Sequence, residues 1–382
     1  MKKQAKILLL SCKTGEGHNS AALAVAEGFA HFGAESRILD PVSVVGEKTR
    51  RGVCGLYNRV IQDAPSLFGA AYRAGELWSD TFPRSPVYLA NSLYASRMLS
   101  AIREGGYDAV VSTHLYGMEV MTAIRRKLGV PVPSFGVLTD YTCIPFFRET
   151  DQDAWFVPHG DLCPDMRHRG MPAERLIVTG MPVSERFFHR MSREMARSRL
   201  GLEQDRRVYL VMTGGAGCGN VAAICDGLLA EDSGRFCAYV LAGNNATLRR
   251  KLSERYPTQT DQIRVLGFTR EVDLFMAAAD VLITKPGGLS STEAAVFGIP
   301  LVHLISIPGC EEYNAAFFAA HGMCEKTADA RESAHLAVRL ASDPAACARM
   351  RAAQAAQMHP LAARDIAARV LSFPALCGQE AD

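Results

Sequence analysis

Residues Val281–Ala295 read VLITKPGGLSSTEAA: an apolar run of strand length, a turn holding Pro286 and two glycines, and then a helix start. Strand, glycine turn and helix in that order make one step of a parallel α/β sheet. Gly287 and Gly288 carry no Cβ, so backbone amides can approach an anion there, and the helix N-terminus adds partial positive charge. Ser290 and Ser291 can cap the helix or donate hydrogen bonds. Glu293, read as a first-turn acid, either stabilises the helix end or accepts two hydrogen bonds from a ribose diol.

Outward from this stretch the same grammar repeats. Strand-like runs in the first half are Ile7–Ser11, Ala109–Ser112, Ser134–Thr139, Ala154–Val157 and Leu176–Thr179; those in the second are Val208–Met212, Phe236–Leu241, Ile263–Leu266, Val281–Thr284 and Leu301–His303. Helical patterns separate them. The stretch 185–207 is charged and helical with no strand, so a linker belongs near its start. The expected architecture is α/β with two Rossmann-like domains, 1–185 and 186–382, facing a cleft between the carboxyl ends of both sheets. The Ala- and Arg-rich segments 328–358 and 361–371 read as helices covering the second domain.

Each half opens with a strand running into a glycine loop. In the first, Gly15-Glu16-Gly17-His18 precedes a helix of small residues, which places His18 at a helix N-terminus, either as a cap or as a neutral base whose pKa the helix end lowers. In the second, Gly214, Gly215 and Gly217 form a loop too dense in glycine for a tight turn alone. Its spacing is not the G-x-G-x-x-G dinucleotide fingerprint, and a mononucleotide diphosphate fits it better. Asn244 and Phe268 follow further strands on the same rim, where either contacts a base or pyrophosphate or sits in an ordinary turn. Glu311 and Asn314 open another helix and can hydrogen-bond sugar hydroxyls or cap that helix. Asp140 and His114 each end a strand of the first half, as acid–base groups or as satisfied polar residues at a sheet edge. The Asp151-Gln152-Asp153 triplet has no histidine or second acidic cluster beside it, so no metal site is assigned.

Bulk properties narrow the classes. At 382 residues the chain suits two domains, and 42 basic against 40 acidic residues give no whole-molecule case for nucleic acid. Eleven cysteines without a C-x-x-C fit neither a disulfide framework nor a zinc site, and read as reduced cytoplasmic thiols. The basic N-terminus leads into too short an apolar run for a signal peptide, and no stretch is apolar enough to span a bilayer. From Lys48 to Arg103, eight basic residues face three acids, with Tyr57, Phe68, Tyr72, Trp78, Phe82, Tyr88 and Tyr94 interleaved. That composition suits an anionic membrane surface, with a solvated helical insertion as the plain alternative.

The ordered set GEGHNSAA, FGVLTDY, MTGGAG, GNNATL, LGFTREVDLFMAAADVLITKPGGLSSTEA and PGCEEYNAAFF resembles the monogalactosyldiacylglycerol synthase and processive diacylglycerol glucosyltransferase family, a branch of glycosyltransferase family 28. The resemblance implies the GT-B architecture and an inverting hexosyltransferase, with a UDP-sugar donor held by the second domain and a lipid acceptor, diacylglycerol, at the first. It implies no cofactor and no metal, and a cytoplasmic enzyme peripheral on the inner face of the cell membrane. By the same resemblance Gly214, Gly215, Gly217, Gly287, Gly288, Ser290 and Ser291 lie at the donor phosphates. Asn244 lies on the donor side, Phe268 near the uracil, Glu293 on the ribose, and Glu311 and Asn314 near the sugar. His18 and Asp140 match positions that line the acceptor side, where Gly17 and His114 are also placed; inversion needs a base opposite the leaving group, and His18, assisted by Asp140, is the expected catalytic base. Two departures stand out. Relatives commonly have glutamine where Cys310 stands, which bears on the sugar, and histidine and tryptophan where Ile144 and Phe147 stand, which bears on the acceptor. A polyprenyl-linked acceptor, a UDP-sugar 2-epimerase and a non-catalytic UDP-sugar sensor are the alternative readings.

Overall fold

The computed structural model describes residues 4–12, 16–52, 55, 65–212, 214, 220–257, 261–305 and 308–377, with backbone alone at 65, 66, 80 and 377. The chain divides into two compact units: Met1–Ile61, Leu67–Glu185 and His359–Asp382 form the first, and Gln62–Ser66 with Arg186–Met358 the second.

In the first unit β1 (Lys6–Leu10), α1 (Glu16–His31) and β2 (Glu35–Leu39) are followed by helices α2 (Pro65–Thr81), α3 (Pro86–Ser92) and α4 (Ala95–Gly105). Then come β3 (Ala109–Ser112), α5 (Leu115–Leu128), β4 (Ser134–Val137), β5 (Ala154–Val157), α6 (Cys163–His168) and β6 (Leu176–Val178). The six strands form one sheet in the order β2-β1-β3-β4-β5-β6, every pairing parallel. The four inner strands, β1, β3, β4 and β5, are buried on both faces, which is why they read as unbroken apolar runs. Ile7 and Leu9 point to one core with Val25 and Phe29 of α1, whereas Leu8 and Leu10 point to the other with Met98 of α4 and Val120 and Ile124 of α5.

The second unit runs α7 (Arg193–Arg199), β7 (Arg207–Met212), α8 (Val221–Glu231), β8 (Phe236–Leu241), α9 (Ala246–Arg255), β9 (Ile263–Leu266) and α10 (Val272–Ala278). It continues with β10 (Val281–Thr284), α11 (Gly288–Phe297), β11 (Leu301–Leu304), α12 (Cys310–Ala320), β12 (Glu325–Thr327), α13 (Ala330–Ala341) and α14 (Pro344–Gln357). Its sheet is also parallel, ordered β12-β11-β10-β7-β8-β9. This is the doubly wound pattern, with the strand order reversing between β7 and β10.

Two strands escaped the sequence reading, β2 and β12. Both are edge strands with partly exposed residues, and β12 has only three. The end of the chain also departs from expectation. After α14 it returns to the first unit as α15 (Ala362–Leu371) and α16 (Pro374–Cys377), whereas the sequence reading kept both in the second. Ile366, Ala367 and Val370 lie in the same core as Ile7 and Phe29. A Cβ on Gly28 would stand 2.3 Å from the carbonyl oxygen of Ala363, so α1 and α15 meet at closest backbone approach.

Candidate functional site

Each sheet offers chemistry where its strand order reverses, just beyond the carboxyl ends of the strands. In the first unit that point lies between β1 and β3. His18, half-buried in the first turn of α1, has Nδ1 2.9 Å from the carbonyl oxygen of Thr113 and 3.0 Å from Oγ1 of Thr139. The Thr113 hydroxyl donates back to the His18 carbonyl at 3.0 Å. A carbonyl only accepts, so this geometry places the proton on Nδ1 and leaves the Nε2 lone pair bare. Burial pushes the imidazole down to about 4, against the opposing pull of the Thr113 carbonyl. Loss of water, rather than the helix end invoked from sequence, is the main cause.

His114 is the N-cap of α5, its Nδ1 accepting the Tyr116 amide at 3.1 Å. Its ring meets that of His18 edge to face, with centroids 4.6 Å apart and planes at 85°. Burial, and then the charge His18 would carry, hold it well below the ordinary histidine value. Asp140 is half-buried at the end of β4, but the Thr139 hydroxyl, not the Asp140 carboxylate, sits on the His18 ring. Gly17 is half-buried beside His18 in the same turn. Thr113 and Thr139 went unnoticed in the sequence; their one signal was a hydroxyl directly after an apolar strand.

In the second unit the reversal lies between β7 and β10. Gly214, just after β7, has φ +71°, and a Cβ there would stand 2.4 Å from Cε of Lys285, so both backbone and space require glycine. Lys285 was also missed by the sequence reading, although a cation between a strand end and a glycine turn is a recognisable signal. Its Nζ pairs with Oε1 of Glu311 at 2.5 Å, while Oε2 of that carboxylate is buried without a partner. Asn314 is fully buried and donates to the Pro286 carbonyl at 3.0 Å, tying α12 to the glycine turn. The N-cap of α12 is Gly309, and the carboxylate that reaches back to its amide, at 3.1 Å, is that of Glu312 and not Glu311.

Gly287 is the N-cap of α11, and a Cβ there would meet nothing within 4 Å among the described residues, so none of them covers the helix start on that side. Gly288 is buried and Ser290 half-buried. Ser291 is corrected: it is fully buried, and its hydroxyl bonds Nε2 of His303 at 2.9 Å, so it braces the helix from inside rather than facing an anion. Glu293 is corrected in position, since no acid lies in the first turn of α11. It stands in the second turn at 8% exposure, makes no hydrogen bond among the described residues, and burial raises it to about 7 against the pull of Arg186. A helix-capping role is thereby removed. Asn244 and Phe268 lie in the turns after β8 and β9, both exposed. Gly215 and Gly217 lie outside the described residues.

The basic, aromatic segment is helical where described; Tyr57, Arg59 and Asp63 fall outside the described residues. One side of α2 is held by Ser79, whose Oγ accepts the Phe146 amide at 3.2 Å, and by Gly75, whose Cβ would touch the Phe146 ring. The other side exposes Leu67, Leu77 and Trp78, continuing into Phe82. Asp151 and Asp153 are taken up by Arg125, Arg126 and Arg175, an ion-pair cluster that secures the loop before β5.

Residues 18–183 match the family described as monogalactosyldiacylglycerol (MGDG) synthase, and residues 211–370 match the glycosyltransferase family 28 C-terminal domain. A processive diacylglycerol beta-glucosyltransferase from Bacillus pumilus is 26% identical over 338 residues, spanning 84% of this chain and 83% of that protein. Among solved structures, Acinetobacter baumannii MurG superposes with a TM-score of 0.63 at 14% identity, over 97% of this chain and all of that one. S. aureus MnaA, in a co-structure with UDP, does so with a TM-score of 0.66 at 13% identity, over 98% of both chains. At such identity these two structures bear on the fold alone, which is the GT-B architecture of two Rossmann-like units.

Proposed function

The chain belongs to the family that these two matches define, the MGDG synthases with a glycosyltransferase family 28 C-terminal domain, and from that premise we propose that it transfers glucose or galactose from a UDP-sugar to the hydroxyl of diacylglycerol, with inversion at the anomeric carbon. The observation that carries the reading is the state of His18. Its Nδ1 proton is committed to Thr113, its Nε2 lone pair has no partner among the described residues, and burial keeps it neutral at physiological pH. In the proposed reaction Nε2 takes the acceptor proton while the hydroxyl oxygen attacks the anomeric carbon opposite the diphosphate. The bond to UDP then breaks with its electron pair going to the phosphate oxygen.

The second unit supplies what that leaving group needs. Amides at the start of α11 and the Lys285 ammonium suit a diphosphate, and Gly214 lets its own backbone lie against that lysine. Glu293 offers a carboxylate without a hydrogen-bond partner to a ribose diol, Phe268 an exposed ring to a base, and Glu311 an unsatisfied oxygen to a sugar hydroxyl. The acceptor implies a membrane. Among the described residues no helix is long and apolar enough to cross one. The apolar side of α2, with Arg73 and Arg84 exposed nearby, suits peripheral attachment to an anionic leaflet on the cytoplasmic side.

The test is a transfer assay with radiolabelled UDP-glucose or UDP-galactose and mixed micelles of diacylglycerol and anionic lipid. Labelled glycolipid is the expected product, and His18→Ala should lower its rate roughly 100-fold or more with UDP binding unchanged. Label appearing only on polyprenyl lipid, or conversion of the free UDP-sugar without an acceptor, would replace this reading.

A further inference from the structure

His18 shares the carboxyl end of β3 with a second imidazole, and the two rings carry opposite tautomers. The Tyr116 amide can only donate, so the His114 Nδ1 that receives it holds a lone pair and its proton sits on Nε2. His18 is the reverse, with its proton on Nδ1 toward Thr113. His114 is fixed because it caps α5, and α5 lies close on the sheet. A Cβ on Gly117, three residues along, would approach Leu10 Cβ and Ser112 Oγ to 2.8 Å each.

We propose that His114 is a positioning residue for His18: clamped as a helix cap, its ring walls one side of the His18 ring and keeps that ring dry, oriented and proton-free for transfer through Nε2. The inference rests on the reading of His18 as the base. Edge-to-face contact at 4.6 Å leaves no room for a water layer between the rings, and two imidazolium charges at that distance would repel strongly. The same junction receives Cys12 from the end of β1, Glu16 from α1 itself, Tyr116 from α5 and Asp140 after β4. None of these side chains hydrogen-bonds the His18 ring, whose nitrogen contacts are Thr113 and Thr139. Among the described residues, His114 is the titratable side chain whose ring meets that of His18.

His114→Asn keeps a good N-cap acceptor and removes the ring, and His114→Gln serves as a second variant should the first fail to fold. Expected in either is a kcat lowered about tenfold with donor KM unchanged, and an acid limb of the kcat profile shifted upward. Titration of the His18 imidazole by NMR, without substrate, should show its pKa rising from about 4 toward the ordinary 6.5. An unchanged His18 titration in a folded variant overturns the inference, whatever the activity. A raised His18 pKa in a protein that transfers no sugar would uphold the positioning role and instead sink the transferase reading.

Discussion

Glu293 shows how one side chain changes meaning once its place in a helix is known. In sequence it follows a glycine turn by a few residues, which suits a first-turn acid; in the structure it is a turn further on, nearly buried and without a hydrogen-bond partner among the described residues. Such a carboxyl is costly to ionise, which is why it is raised to about 7. The sign follows from linkage. A carboxyl raised in the folded state favours folding below its ordinary value of 4.5, and that contribution is lost as pH rises toward 7. Ribose hydroxyls favour the ionised form, so UDP affinity should rise between about pH 6 and about pH 8, by at most roughly tenfold per unit below the pKa. Glu293→Gln should bind UDP about tenfold more weakly at pH 8 and lose the excess pH slope. Calorimetric titration of both proteins measures this; equal slopes would dissociate Glu293 from the donor. His18 was legible because a strand, a glycine loop and a histidine fall in order. Thr139 was not, because which of two adjacent side chains reaches the ring depends on where β4 ends.

Elements were legible in proportion to how fully they are buried. Strands covered on both faces appear in sequence as apolar runs, and Ala109–Ser112, Ala154–Val157, Phe236–Leu241 and Val281–Thr284 come out with the bounds read from sequence, as does Ile263–Leu266, an apolar edge strand. Edge strands are marked unevenly, since β6 and β9 are apolar enough to be read, whereas ESRIL in β2 has a ladder on one side only and no fully buried residue. Contacts between helices leave still less trace, since a glycine within a helix looks like a weak spot until its neighbour is known. Gly28 is the case in point. Gly28→Val would drive a branched side chain into the Ala363 carbonyl and spread α15 from α1, at a cost of about 1–3 kcal/mol. Thermal unfolding should register this as a melting point lowered by several degrees, and an unchanged melting point would mean that the two helices do not meet as closely as described.

For the molecule as a whole, the least legible feature was the return of the chain to its first unit. Ala-rich amphipathic helices fit many sheets, and their order in the sequence does not say which they cover. The second unit is in effect an insertion, entered near Glu185 and left after Met358. A chain ending at Met358 should therefore lose more than a surface helix, because Ile366, Ala367 and Val370 are fully buried in the core that also holds Ile7, Val25 and Phe29. Such a chain should melt in two steps or aggregate, while fragment 186–358 should melt cooperatively, as circular dichroism of each would show. A shortened chain that melts like the full one would refute the assignment.

That return also sets an order of events at the ribosome. Synthesis delivers β1, α1 and the rest of the first sheet early, but the helix that seals them emerges only after the whole inserted unit. Throughout translation of the intervening unit, the α1 side of that sheet lacks the helix that covers its apolar residues. The inserted unit, whose residues are nearly all contiguous, can close first. The unit that is begun first is thus closed after the one inserted into it, and His18, at the head of the helix that waits for its cover, settles into its final surroundings only after that inserted unit has been made.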